Sequence, residues 1–224
     1  MTKNIQIAID GPASAGKSTI AKLIAKKLNF IYCDTGAMYR ATTYYALKNG
    51  VQLDDDKALA KMMQDMKISF APGDPEQKVY VNGEDVTEVI RTPKIARNVS
   101  LVAAQPSVRQ ILTEQQREIA EKGGIVMDGR DIGTTVLPHA QVKIFLVASV
   151  HERAVRRYKE NVAKGIPSDL KQLEKDIAAR DKKDSTRKVS PLTKAEDAIE
   201  VDTTSLNIDQ VVEKVMKIIK KESK

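Results

Sequence analysis

The sequence has no tryptophan, three phenylalanines and six tyrosines, so aromatic side chains make up 4% of its 224 positions. Single-stranded nucleic acid is held largely by stacking bases on aromatic rings, and a chain this short of rings is poorly equipped to do so. One cysteine, Cys33, excludes an internal disulfide, and two histidines, His139 and His151, leave no cluster of zinc-ligand spacing. Cys33 closes the apolar stretch Phe30–Ile31–Tyr32 and reads as a small buried hydrophobe, not a catalytic thiol. No apolar run approaches the roughly 20 residues that span a bilayer. Met1–Thr2–Lys3–Asn4 leads straight into a strand pattern, not the apolar region of a signal peptide. The expectation is a cytoplasmic protein with no membrane partner, and nothing in the pattern demands more than a monomer.

What is present is enough apolar residue, 42%, for a substantial core in one domain spanning 1–224. The formal charge is +7, and it is unevenly spread: residues 151 to 190 hold twelve Lys/Arg against seven Asp/Glu. Charge alone cannot choose between nucleic acid, a membrane surface and small polyphosphates. Spacing can.

Gly11-Pro12-Ala13-Ser14-Ala15-Gly16-Lys17-Ser18 matches G-x-x-x-x-G-K-[ST]. It follows the apolar run Ile5–Ile9, and Ile20, Leu23, Ile24 and Leu28 recur behind it at helical spacing. A strand that ends in a glycine-rich turn and enters a helix points backbone N–H groups at one spot, where they cradle phosphate oxygens. Lys17 adds a point charge for the β- and γ-phosphates, and the Ser18 hydroxyl is placed to hold Mg²⁺. The pattern therefore points to a bound nucleoside triphosphate.

Asn29–Cys33 reads as a second strand, and Asp34-Thr35-Gly36-Ala37-Met38-Tyr39-Arg40 opens a helix capped at Asp34 or Thr35. Residues 54 to 66 look helical. Lys67–Ala71 and Lys78–Val81 are then strand-like, with Asn82-Gly83 a type I′ hairpin signal. Thr92-Pro93 starts another helix. Pro106 interrupts the pattern, after which Val108, Ile111, Leu112 and Ile119 mark one apolar face ending near Gly123-Gly124. Ile125–Asp128, Val142–Val147 and Ala198–Val201 suit a buried parallel sheet, and Ile208–Ile219 a closing amphipathic helix. Between 150 and 188 two basic helical stretches meet at Gly165-Ile166-Pro167-Ser168, with Ser168 the expected N-cap. The fold class is α/β: a five-stranded parallel sheet wrapped by helices, with a small antiparallel sheet inserted between residues 67 and 88 and a helical lid at 150–188.

Asp128-Gly129-Arg130-Asp131 follows an apolar strand, which puts its charges at the carboxyl edge of the sheet, where ligands of open α/β folds bind. Asp128 is the acid that would hold Mg²⁺ directly or through its waters. The alternative is a turn whose charges pair among themselves. Arg180, Asp184 and Arg187 share one face if their helix is continuous; arginine forks suit phosphate oxygens, although such a stripe is also an ordinary solvated salt-bridge row. Of Arg153, Arg156 and Arg157, at least one would cover the nucleotide and the rest would solubilise their helix. Arg40, six residues after Asp34, would reach a second phosphate-bearing ligand with help from Thr35. Arg109 lies one residue beyond the apolar face of its helix, so spacing assigns it to the surface.

The motifs GPASAGKS, CDTGAMYR, DGRDIG and ARDKKDSTRKVSPL, in this order and with the small sheet between residues 67 and 88, resemble the bacterial cytidylate kinase family over essentially the whole chain. The resemblance implies a P-loop kinase fold and transfer of the γ-phosphoryl group of ATP to CMP or dCMP, with Mg²⁺ required. It makes Gly11 to Thr19 the ATP phosphate loop, with Arg157 also on ATP, and assigns Arg40, Arg130 and Arg180 to the CMP phosphate. Asp184 and Arg187 would contact the sugar and phosphates. Thr35 joins the CMP set, and Ser100, Arg109 and Asp131 match the cytosine-reading residues, which overrides the surface assignment of Arg109. Lys17, Arg130, Arg180 and Arg187 would carry catalysis, and 67–105 would be the CMP-binding subdomain. Thr35 stands where related sequences often have Ser, and Lys17-Ser18 where others have Lys-Gly, which leaves a hydroxyl for the metal.

Two other classes fit less well. A GTP-dependent switch needs an N-K-x-D guanine reader, and no Asn here is followed by Lys. A nucleic-acid binder would use the positive charge, with strongly salt-dependent affinity, but lacks the stacking rings.

Overall fold

The structure is a computed structural model that describes residues 4–71, 73 and 77–223. The expectation made for Met1-Thr2-Lys3 lies outside the described residues. The elements run β1 (Gln6–Asp10), α1 (Lys17–Leu28), β2 (Ile31–Asp34), α2 (Thr35–Lys48), α3 (Asp56–Gln64), β3 (Ile68–Ala71), β4 (Lys78–Val81), β5 (Glu84–Asp85), α4 (Pro93–Val102), α5 (Pro106–Ala120), β6 (Ile125–Gly129), β7 (Val142–Val147), α6 (Val150–Ala163), α7 (Leu170–Thr186), β8 (Ile199–Asp202) and α8 (Ile208–Glu222). They form two compact units, Met1–Cys33 with Ile119–Lys224, and Asp34–Glu118.

In the first unit Ile7, Ala8 and Ile9 are wholly buried, as a strand covered on both faces requires. The sheet order is β2-β6-β1-β7-β8. β1 is central and parallel to both β6 and β7, and β7 is parallel to β8. The core joins Ile7 and Ile9 to Ile20 and Ile24 of α1, Val126, Ile144, Leu146 and Val201 of the sheet, and Val215 and Ile219 of α8. Each such side chain contributes about 1.5–3 kcal/mol on burial. Because Asp10 pairs with Gly129 in register, the loop that leaves β1 and the Asp128–Asp131 segment that leaves β6 emerge side by side, as the sheet-edge rule requires.

The basic helices α6 and α7 belong to this unit. Asp169, not Ser168, caps α7, its carboxylate accepting from the Gln172 N–H at 2.7 Å. The Ser168 hydroxyl instead accepts from the Asn161 side-chain amide at 2.6 Å. α7 ends at Thr186, and Arg187 is already extended at φ −64°, ψ 145°. Arg180, Asp184 and Arg187 therefore do not share one continuous helix face.

In the second unit Asp34 caps α2, accepting from the Ala37 N–H at 2.9 Å. β3, β4 and β5 form the antiparallel sheet. Its turn has Asn82 and Gly83 both at positive φ, 50° and 84°, as a type I′ hairpin demands. The Asn82 side chain locks the turn further, accepting from the Lys67 N–H and donating to the Asp65 carbonyl. Pro93 opens α4, where its missing N–H costs nothing. Leu59, Met63, Val79, Val81, Ile90, Val99, Val108 and Leu112 are buried in this unit.

Candidate active site

Gly11 has φ +147°, and a Cβ there would strike the Leu146 backbone carbonyl, so only glycine lets the chain turn off β1 this close to β7. Gly16, at φ +90°, closes the loop and stands at the N-terminus of α1. That terminus has no side-chain cap and no acid in its first turn. Its backbone N–H groups and its positive dipole end are thus left to an anion. Ser14, at φ 60°, holds a strained left-handed conformation of the kind that collects at ligand clamps.

Lys17 is buried, and its Nζ donates to the Pro12 carbonyl at 2.7 Å. Burial, followed by the positive charges of Arg130 and Arg180, pushes its pKa well down against the pull of Asp128 and Asp10. Ser18 Oγ donates to Asp128 Oδ2 at 2.9 Å, and the Tyr32 hydroxyl donates to Asp128 Oδ1 at 2.8 Å. A hydroxyl and a carboxylate oxygen at the foot of a phosphate loop are the hard donors that Mg²⁺ takes, so Ser18 and Asp128 fit such an ion.

From the segment after β6, Arg130 Nε donates to Asp184 Oδ2 at 3.0 Å, and Arg180 Nε lies 3.8 Å from the same oxygen. Arg187 Nη2 donates to Asp131 Oδ1 at 3.2 Å, and its Nε to the Ser190 carbonyl at 2.7 Å. Lys17, Asp128, Arg130, Asp131, Arg180, Asp184 and Arg187 are therefore gathered at one edge of this unit. Burial raises the Asp184 carboxyl, but Arg130, Arg180 and Arg187 more than offset it, so its pKa ends below 3.8. A carboxylate depressed in the folded state stabilises the fold above its unfolded value and loses that contribution as pH falls through the folded one. The Tm difference between the native chain and Asp184→Asn should thus be widest above pH 3.8 and shrink in more acidic buffer. Parallel Tm curves would show that the carboxylate is not held by these arginines.

The three arginines of α6 divide by role. Arg153 is 4% exposed and is no solubilising residue: Nη1 donates to the Ala13 carbonyl at 3.1 Å, Nε to the Ala148 carbonyl at 2.9 Å, and Nη2 pairs with Asp181 of α7 at 2.7 Å. Arg156 donates to the hydroxyl and carbonyl of Thr203. Arg157 Nη2 donates to Ser14 Oγ at 3.1 Å, which puts it on the phosphate loop.

In the other unit Thr35 is buried at the start of α2. Arg40 Nη2 pairs with Asp34 Oδ2 at 2.9 Å. Burial raises the Asp34 carboxyl while Arg40 and Arg91 pull it below its usual range. Ser100 is half-buried on α4. Arg109 is 2% exposed, which corrects the surface assignment made from spacing. Its guanidinium lies 5.3 Å from the Tyr39 ring centroid and donates to the Ala103 carbonyl at 3.1 Å. Stacking on Tyr39 gains cation–π attraction in a dry setting, so burial of this charge is explained by a specific partner.

A family model described as cytidylate kinase matches residues 7–221. The chain belongs to the cytidylate kinase family. It is 70% identical over 219 residues to the cytidylate kinase of Ligilactobacillus salivarius (strain UCC118), with 98% of each chain covered. It is 62% identical over 218 residues to that of Listeria monocytogenes serovar 1/2a, with 97% of each covered. A crystal structure of an uncharacterized protein from Eubacterium ventriosum matches with a TM-score of 0.53 at 15% identity, over 98% of this chain and 99% of that one, a likeness of fold alone. The fold is thus a P-loop kinase fold, and the chain is a kinase.

Two residues that touch this cytidylate kinase family site are absent from the sequence reading. Asp10 accepts from the N–H groups of Ile132 at 2.8 Å and Gly133 at 2.7 Å, and burial raises its pKa to about 6 in spite of those bonds. It is an acid that ends an apolar strand, the signal that singled out Asp128, but the adjacent glycine loop drew the reading past it. Tyr32, which orients Asp128, alternates within a strand like any half-buried residue and carries no signal of its own. No helix among the described residues is long and apolar enough to cross a membrane.

Proposed function

We propose that the chain transfers the γ-phosphoryl group of ATP to CMP and dCMP, giving CDP and dCDP. The observation that carries this reading is the gathering of Lys17, Arg130, Arg180 and Arg187 at one edge, beside a phosphate loop whose helix has no side-chain cap and no acid in its first turn. The loop Gly11–Thr19 would hold the ATP phosphates, with Arg157 beside Ser14 as a further contact. On the acceptor side we assign Arg130, Asp131, Arg180, Asp184 and Arg187 from one unit and Thr35, Arg40, Ser100 and Arg109 from the other. Ser100, Arg109 and Asp131 would read the cytosine, since buried polar groups left unpaired by a wrong base reject it strongly.

Phosphoryl transfer leaves the protein little covalent work, so rate comes from alignment and from charge placed where it builds up in the transition state. The acceptor oxygen is already ionised, which removes the need for a general base. Lys17, Arg130, Arg180 and Arg187 supply the fixed charge. Held by Ser18 and Asp128, Mg²⁺ would add charge neutralisation on the phosphates. The segment 150–188 would act as a lid that keeps water from the reacting phosphate, and 67–105 as the CMP-binding subdomain of a single kinase domain. We place the protein in the cytoplasm, as a monomer acting on small nucleotides and not on nucleic acid.

ADP release by the purified chain with Mg²⁺ and ATP, measured across CMP, dCMP, UMP, AMP and GMP, tests the reading. CMP and dCMP are expected to be phosphorylated and the purine monophosphates not. Absence of turnover with every pyrimidine monophosphate would overturn it.

A further inference from the structure

We infer that Asp10, although it directly precedes the phosphate loop in the chain, acts on the acceptor side of the reaction as the residue that positions Asp131 and through it Arg187. The Asp10 side chain is 5% exposed at the end of β1. Its two oxygens are taken by successive backbone N–H groups, Oδ1 by Ile132 and Oδ2 by Gly133. Those two residues open a π-helical turn, Ile132–Val136, and follow immediately on Asp131. A carboxylate that grips two consecutive N–H groups fixes the orientation of the peptide planes on the carboxyl side of Asp131. Asp131 is itself 4% exposed, sits at φ −146°, ψ 27°, and accepts from Arg187 at 3.2 Å. The Arg187 side chain is 7% exposed and its Nε is committed to Ser190. The pair Asp131–Arg187 is thus built on a backbone segment whose direction Asp10 sets.

Two further features agree. A Cβ on Gly133 would meet Lys143 Cδ at 3.1 Å and make ordinary contact with Asp10 Oδ2 at 3.4 Å, so the turn lies directly against the carboxylate. Both Asp10 oxygens accept from the turn after Asp131, and among the described residues none of its hydrogen bonds comes from the phosphate loop. Chain proximity and the pull of its charge on Lys17 would predict an effect on ATP, whereas the hydrogen bonds predict an effect on CMP. The two are separable by experiment.

This inference rests on the assignment of Asp131 and Arg187 to CMP made above, so Asp131→Asn is measured alongside. Asp10→Asn keeps size and replaces one acceptor by an NH₂ group facing a backbone N–H. Loss of one such charge-assisted bond is expected to raise the KM for CMP about tenfold and lower kcat less, with the Kd for ATP, taken from direct titration, changed by less than about twofold. If Asp131→Asn raises the KM for CMP but Asp10→Asn leaves it unchanged, or weakens ATP equally, the inference falls and the CMP assignment stands. If Asp131→Asn has no effect on CMP, both fall. Should Asp10→Asn fail to fold, Asp10→Glu, which keeps the charge but moves both oxygens away from the Ile132 and Gly133 N–H groups, is read by the same criteria.

Discussion

Lys17→Ala is expected to lower kcat about a thousandfold while leaving the Tm unchanged or higher, since removal of one preorganised charge from a transition-state site typically costs a factor of 10²–10³ or more. The stability half of this expectation follows from where the amine sits. Lys17 is 5% exposed and its charge is opposed first by burial and then by Arg130 and Arg180. Its one short hydrogen bond, to the Pro12 carbonyl, spans a turn of the loop that the backbone already closes. Removal of the amine relieves its burial and its repulsion by Arg130 and Arg180, which together outweigh the attraction of Asp128 and Asp10, as happens when an active site holds groups at the expense of stability. Steady-state ADP release and a thermal melt on the same preparation check both halves. Turnover near the native level, or a collapse of the Tm, would show that the lysine is structural.

Arg180→Ala is expected to reduce kcat by roughly a thousandfold, the scale of an arginine that stabilises charge in phosphoryl transfer, with the Kd for ATP within about twofold. Asp184 would survive the loss. Arg130 holds the same Oδ2 at 3.0 Å, against 3.8 Å for Arg180, so the carboxylate keeps its better partner. What disappears is a guanidinium on α7 whose charge already reaches Lys17. Arg180→Lys should recover only part of the rate, because an ammonium lacks the planar fork. Single-turnover kinetics with ATP prebound separate the chemical step from binding. A native single-turnover rate in the alanine variant would remove α7 from the mechanism.

The parts of this molecule governed by local rules were legible in the residues. The Gly11–Ser18 pattern, the Asn82–Gly83 turn and the strands around them follow from backbone sterics and from short apolar runs, which a sequence displays directly. The joint placement of Lys17, Asp128 and Arg130 also followed, because parallel strands carry their carboxyl ends to one edge. Failures came where a side chain answers to a distant partner. Arg109 is off the apolar face of its helix by spacing, yet the Tyr39 ring makes a buried place for it. Arg153 looks like any surface arginine until the carbonyls of Ala13 and Ala148 and the carboxylate of Asp181 are around it. Arg187 was put on a helix that stops one residue before it, a boundary set by contacts with Ser190 and Asp131 and not by propensity.

Helices α2, α3, α6, α7 and α8 each begin on a side chain that caps them, whereas α1 begins on Gly16 with none. Helix α1 therefore starts unfinished, and a bound polyphosphate would complete it. Occupancy at a hundred times the dissociation constant would add about 2.7 kcal/mol to the protein's resistance to unfolding. Survival of the chain in a cell is in this way tied to the energy charge around it, and a starved cell would hold a more fragile copy of the protein than a fed one.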